Sequence, residues 1–227
     1  MAMLDREWGR MAYADAGGDG FPVVFLHGSG CDADDWRGVL SALPPGDRAI
    51  VVDFRCHGSS EAGDSPMTLD DLAADVLALV SHLGLPRVML VGHSLGGMVA
   101  MEAARRDARV AGLLLLEGWT RLSASAAFSE GRFYGALAPA AIARIQKKAG
   151  DTRRRFAPAA WSAFWQTVER YDASDFLAQA TIPIVEVYGA LGRGHDAETR
   201  LAIPRRANIE LRWVEGAGHY LPHERPV

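Results

Sequence analysis

Four runs of the chain are apolar almost throughout: Pro22–Leu26, Ala49–Phe54, Val88–Val91 and Val110–Leu116. Each is short, and the first two are bounded by Gly, Pro and Asp, so each reads as a buried strand. Helical patterns separate them. Asp34–Leu43 carries Trp36, Val39, Leu40 and Leu43 at helical spacing, and Leu95–Arg106 follows the third run. Thr68–Leu83 opens with Thr68 and Asp71, a capping-box start, and stops before Gly84 and Pro86. Strands of this kind alternating with amphipathic helices predict an α/β fold, a mostly parallel sheet covered on both sides. Arg6–Ala14, ahead of Gly17-Gly18, is expected to add an antiparallel hairpin at one edge.

The alternation breaks after Glu117. Residues 118–180 show no convincing strand and read as helices, Ala140–Ala149 and Pro158–Arg170 among them, with Pro139 and Pro158 in first turns. This stretch carries a net charge of +4 against −8 for the rest of the chain. Strands resume at Ile182–Tyr188 and Ile209–Val214. The expected organisation is therefore one α/β core in two parts, 1–117 and 181–227, with a helical insertion at 118–180.

Composition narrows the function classes. With 49% hydrophobic and 23% charged residues the chain is neither disordered nor fibrous. A net charge of −4 gives no electrostatic footprint for nucleic acid or an anionic membrane. No apolar run approaches the ~20 residues that span a bilayer, and the N-terminus lacks a secretory core. Cys31 and Cys56 form neither a disulfide framework nor a metal-ligand spacing. These features lead us to expect a cytoplasmic, soluble domain with its two cysteines reduced and no metal-ligand spacing.

The chemistry concentrates where the third strand runs into Gly92-His93-Ser94-Leu95-Gly96-Gly97 and a helix. A serine between two glycines on a strand-to-helix turn can take the strained backbone that thrusts its hydroxyl above the sheet. The Leu95 amide then lies at a helix N-terminus, able to donate to a developing oxyanion. A serine hydroxyl needs a base. Among seven histidines, His219 has the right setting, in the loop Glu215–His219 after the last strand. His27-Gly28-Ser29-Gly30 follows the first strand, where the Ser29 amide can supply a second oxyanion donor while His27 braces the turn. His57, in Asp53–Ser60, reads as structural.

Together, Gly92–Gly97, His27–Gly30, Asp53–Ser60 and the Gly218-His219 ending resemble the α/β-hydrolase superfamily over essentially the whole chain. The resemblance implies an eight-stranded sheet, Ser94 as nucleophile, His219 as base, the Ser29 and Leu95 amides as oxyanion hole, and a cap formed by the insertion. It also sets the chain apart from family members that hydrolyse haloalkanes or epoxides, which need a carboxylate at the position of Ser94.

The acid departs from the family pattern. Most relatives place it just after the seventh strand, where this chain has Gly192. Glu117, at the end of Val110–Leu116, is the preferred replacement, and Asp196 is the rival, better suited to capping a short helix at Ala197–Ala202. The chain also stops eight residues after His219, where relatives usually add a helix. Less covered apolar surface there is expected to lower stability or to serve a partner such as a second copy of the chain.

The insertion is aromatic, with Phe128, Phe133 and Tyr134 in its first half and Trp161, Phe164 and Trp165 in its second. Trp161, Phe164, Trp165 and Val168 share one helix face and are expected to pack within the cap or onto the sheet. Trp119, Trp165 and Tyr220 are the candidates for a substrate pocket, favouring apolar or aromatic acyl groups. The basic run Lys147, Lys148, Arg153, Arg154 and Arg155 reads as a solvated helix end. The leading function is cofactor-independent hydrolysis of a small-molecule carboxylic ester, lactone or thioester. Carbon–carbon bond hydrolysis of a ring-cleavage dienoate, perhydrolysis, and a slow or non-catalytic ligand receptor on the same fold are the alternatives.

Overall fold

A computed structural model of the protein describes residues 1–44, 46–62, 67–127, 133–193 and 196–226. Phe128, one of the insertion's aromatic residues, lies outside the described residues.

Eight strands form one sheet: β1 (Ala2–Arg6), β2 (Gly9–Asp15), β3 (Val23–Leu26), β4 (Ala49–Val52), β5 (Val88–His93), β6 (Val110–Leu116), β7 (Ile184–Gly189) and β8 (Ile209–Val214). Their spatial order is β1-β2-β4-β3-β5-β6-β7-β8, parallel except that β2 runs against both neighbours. Alternate residues face opposite ways, as pleating dictates. Val24, Leu26, Ile50, Val52 and Leu90 join one large buried cluster, whereas Phe25, Val51 and Val91 pack with Trp36 on the other face. The first face is covered by α2 (Leu69–His82) and α3 (Leu95–Arg106), the second by α1 (Arg37–Ala42) and the helical turn Ala33–Trp36.

Local chemistry explains the boundaries. Helix α2 begins at the expected capping box: the Asp71 amide donates to Thr68 Oγ1 at 3.1 Å, and the Thr68 amide to Asp71 Oδ2 at 2.9 Å. The edge hairpin starts earlier than Arg6, because Ala2 already pairs with Tyr13 and the turn falls at Glu7-Trp8. β4 stops at Val52 rather than Phe54. The Asp53 carboxylate instead accepts the amides of Ala33 and Ser59, both at 2.7 Å, and so shapes the loop before α2.

Between β6 and β7 the described residues hold helices α4 (Pro139–Arg155), α5 (Pro158–Arg170) and α6 (Ser174–Gln179), with one isolated bridge, Arg121 to Asp172. Helix α4 continues well past Ala149. Across Gly150 and Asp151 the helix persists, with Ile145 and Thr152 buried and Asp151 paired with Lys147 and Arg154. Its basic end is only partly a solvated one. Lys148 bonds Asp32 and Asp35 at 2.8 and 3.0 Å, and Arg155 donates to the carbonyls of Gly58 and Ser60, so α4 is fastened to two core loops. The apolar face of α5 buries Phe164 and Val168 in the same cluster as the sheet. Among the described residues no helix is long and apolar enough to cross a membrane.

One buried carboxylate fastens the edge hairpin to the core. Asp75 on α2 accepts from Arg6 at 3.0 Å, Trp8 at 2.9 Å and Arg55 at 2.5 Å. Asp75→Asn leaves two guanidinium groups short of their counter-charge. We expect a loss of about 3–5 kcal/mol in urea unfolding, and a loss below about 1 kcal/mol would show the ion cluster to be ornamental.

Candidate active site

The carboxyl ends of β3, β5, β6, β7 and β8 converge on one rim, the side of an open α/β sheet where ligands bind. β5 ends at His93, and the chain turns into α3 through Ser94, whose φ of 54° and ψ of −117° lie outside the regions a serine prefers. Such a residue costs about 1–3 kcal/mol and persists only where its surroundings enforce it. Here they do. A Cβ on Gly92 would run into the Gly96 carbonyl, and one on Gly96 into the Leu26 carbonyl of β3. The Ser94 amide donates to Leu116 O at 2.9 Å, tying the turn to β6. Ser94 Oγ is hydrogen-bonded to no described residue, the nearby imidazole included.

His219 arrives from the loop after β8. The His93 Nε2 lies 2.9 Å from its carbonyl, and its own amide donates to Phe133 O at 2.9 Å. His93, next to Ser94 in the chain, therefore locks the backbone of His219 to the nucleophile turn. The imidazole is sandwiched between Trp119 (4.8 Å between centroids, 26°) and Phe133 (4.4 Å, 19°). Burial and the Arg193 cation pull its pKa down to about 3, so the ring is a neutral base at rest.

Glu117, the residue after β6, is wholly buried and has a φ of 54°. Its Oε1 accepts the Gly189 amide at 2.8 Å, and its Oε2 accepts Trp119 Nε1 at 3.2 Å and Arg193 Nη2 at 2.5 Å. His219 Nδ1 stands 3.5 Å from the same Oε2. That separation is long for a charge-assisted bond, as resting catalytic contacts often are. Burial pushes the Glu117 carboxyl up to about 7 against the opposing pull of Arg193 and the Gly189 amide.

The structure brings Ser94, His219 and Glu117 to one site and leaves Asp196 outside it. Asp196 is 58% exposed and pairs with Arg200 at 2.6 Å. It precedes α7 (Ala197–Leu201), but its side chain makes no capping bond, because the arginine takes the carboxylate. Ser29, Leu95, Trp119 and Trp165 line a small cavity over Ser94 together with Met98, Leu122 and Val168. It offers about 20 Å³, room for roughly one water. The amides of Ser29 and Leu95 donate to none of the loop and turn carbonyls that take up their neighbours. Tyr220 is not in this wall. It stacks on Tyr134 at 5.4 Å and 7° and packs with Cys31 and Ile145, because the bond between His93 and the His219 carbonyl turns the next side chain away.

His27 and His57 brace the loops. His27 Nε2 accepts the Phe54 amide at 3.0 Å and its Nδ1 donates to Gly28 O at 2.7 Å. His57 Nε2 accepts the Gly30 amide at 3.2 Å, and burial lowers its pKa to about 3. Two site residues escaped the sequence reading. His93 sat inside the motif but was assigned no task. Arg193, one residue past the glycine that replaces the expected acid, was the available signal: a cation where an anion is missing calls for a carboxylate nearby.

A model of the alpha/beta hydrolase family matches residues 23–227. The chain belongs to that family. As an α/β hydrolase it is 30% identical to the soluble epoxide hydrolase of Corynebacterium sp. (strain C12), over 96% of this chain and 90% of that one. The esterase of Thermogutta terrifontis superposes with a TM-score of 0.69 at 26% identity, over 96% of this chain and 89% of that one. The enol-lactonase of Burkholderia xenovorans LB400 superposes with a TM-score of 0.77 at 22% identity, over 99% and 95%. The chain spans less than half the length of several other curated relatives it matches.

Arg193 lowers the pKa of both Glu117 and His219, so whichever of them sets the acid limb of the rate profile, its removal has one sign. Arg193→Gln raises both values, and the limb of kcat/KM moves to higher pH. Arg193→Lys restores it in part. A limb that stays in place or moves down would show that the guanidinium does not act on the base.

Proposed function

We propose that the protein is a serine hydrolase cleaving a carboxylic ester or lactone of a small, largely apolar substrate through an acyl-enzyme on Ser94. The observation that carries this reading is the strained Ser94 turn joined through His93 to a histidine whose ring faces a buried carboxylate. His219 takes the Ser94 proton as Oγ attacks the substrate carbonyl, and the amides of Ser29 and Leu95 receive the oxyanion. The imidazolium gives its proton to the departing alcohol, and Glu117 holds the ring's tautomer and stabilises its charge. Water then resolves the acyl-enzyme with His219 again as base, returning Ser94. No cofactor is called for.

Residues 118–180 serve as the cap. Trp119, Leu122 and Trp165 roof the cavity, and the apolar wall favours an alkyl or aromatic acyl group. With room for about one water, the roof side chains must shift to admit it. The likeness to an esterase and to a lactonase supports ester chemistry. The epoxide hydrolase relative does not redirect it, since this chain presents Ser94 where that chemistry needs a carboxylate. One observation favours a non-catalytic receptor: Gly192 leaves the usual place of the acid without a side chain, and His219 Nδ1 stands 3.5 Å from Glu117 Oε2.

A fluorophosphonate probe and a series of para-nitrophenyl esters beside a lactone separate the two readings. We expect rapid labelling, turnover that rises with acyl length, and loss of both in Ser94→Ala by about four orders of magnitude or more. No labelling and no turnover of any substrate would establish the receptor.

A further inference from the structure

A tryptophan is a costly choice for a wholly apolar wall, because its indole N–H loses water on burial. Trp165 lines the cavity beside Ser94, and its Nε1–H is buried with no acceptor among the described residues. Its neighbours on α5 offer none: Trp161 and Phe164 meet it edge-on at 5.7 and 6.0 Å. The wall around it, Leu95, Met98, Leu122 and Val168, is apolar. The other indole of the cavity differs, since the Trp119 N–H is committed to Glu117 at 3.2 Å.

The cavity's other polar groups have tasks in the proposed mechanism, apart from the Ser29 hydroxyl, which is donor and acceptor at once. Ser94 attacks, and the amides of Ser29 and Leu95 receive the oxyanion. Trp165 Nε1 is left over. A buried donor without a partner costs about 1–3 kcal/mol, and native proteins seldom leave one. Phenylalanine would fill the same wall without that cost. The cost is offset if the bound molecule supplies the acceptor.

We propose that Trp165 determines specificity by donating its Nε1–H to a second carbonyl oxygen of the substrate, separate from the carbonyl that Ser94 attacks. This rests on the serine-hydrolase reading and sharpens its substrate class: esters or lactones carrying a further keto or amide carbonyl, in preference to plain alkyl esters. A water held in the resting cavity is the competing partner for the indole, and it predicts no preference between the two.

The test compares para-nitrophenyl hexanoate with keto-hexanoates whose added carbonyl is moved along the acyl chain. Each rate is divided by that ester's spontaneous hydrolysis. In the unaltered protein at least one keto ester should exceed hexanoate in kcat/KM by about five- to tenfold, the gain from one neutral hydrogen bond. Trp165→Phe should collapse that ratio toward one. Fluorophosphonate labelling and hexanoate turnover without a keto preference at any position overturn this inference alone. So does a preference that survives Trp165→Phe. No labelling and no turnover of any ester overturn the hydrolase reading, and this inference with it. Where the variant does not fold, the absence of a keto preference in the unaltered protein still overturns the inference.

Discussion

A carboxylate with no access to water can stay useful only if its surroundings hold its charge, and the site is arranged around that constraint at Glu117. The Gly189 amide, the Trp119 indole and the Arg193 guanidinium converge on its two oxygens, and His219 faces the same Oε2. Arg193 in turn is held by the Gly189 carbonyl at 2.8 Å and lies over the rings of Tyr188 and Trp213. A second buried carboxyl, Glu186, accepts the Tyr188 hydroxyl, and burial pushes it up to about 8. Burial thus biases Glu186 toward its neutral form, which leaves Glu117 as the carboxylate that faces the Arg193 cation. Protonating His219 adds a cation beside this pair, and Glu117 is the carboxylate placed to offset it.

The sheet delivers these groups to one level. In the parallel register His93 pairs with Leu116, so Ser94 and Glu117 step off adjacent strands side by side. Leu116 in turn pairs with Val187, which brings Gly189 and the Arg193 loop alongside. Both Ser94 and Glu117 leave their strands with positive φ, the strain that turns each side chain over the rim rather than onto a sheet face. The fold thus sets Ser94 and Glu117 side by side through strand register before any loop is considered.

The parts of this arrangement that depend on local pattern were legible in the sequence: the apolar strands, the Thr68 capping box, the glycines around Ser94, and a histidine late in the chain. Glu117 came into view only through the family resemblance, which puts the acid where Gly192 stands and leaves Glu117 and Asp196 as replacements. What escaped depends on contacts between distant segments. Arg193 beside Gly192 signals a missing carboxylate but not which one its guanidinium meets, and nothing near Tyr220 shows that it stacks on Tyr134. Helix α4 runs past Ala149 to Arg155, with Ile145 and Thr152 buried. The role suggested for Asp196 as a cap failed for the same kind of reason, an arginine four residues on that sequence alone could not rank against a backbone amide.

The central claim is that the buried carboxylate at the end of β6, and not the exposed one before α7, serves the base. The direct measurement is kcat at neutral pH for Glu117→Gln beside Asp196→Asn, with fluorophosphonate labelling of Ser94 in both. Replacing the carboxylate of a Ser-His-acid site by its amide typically costs about 10⁴-fold, so Glu117→Gln should lose about that much while Asp196→Asn stays within about twofold of the unaltered protein. Near-full activity in Glu117→Gln, with Asp196→Asn inactive, would contradict the account.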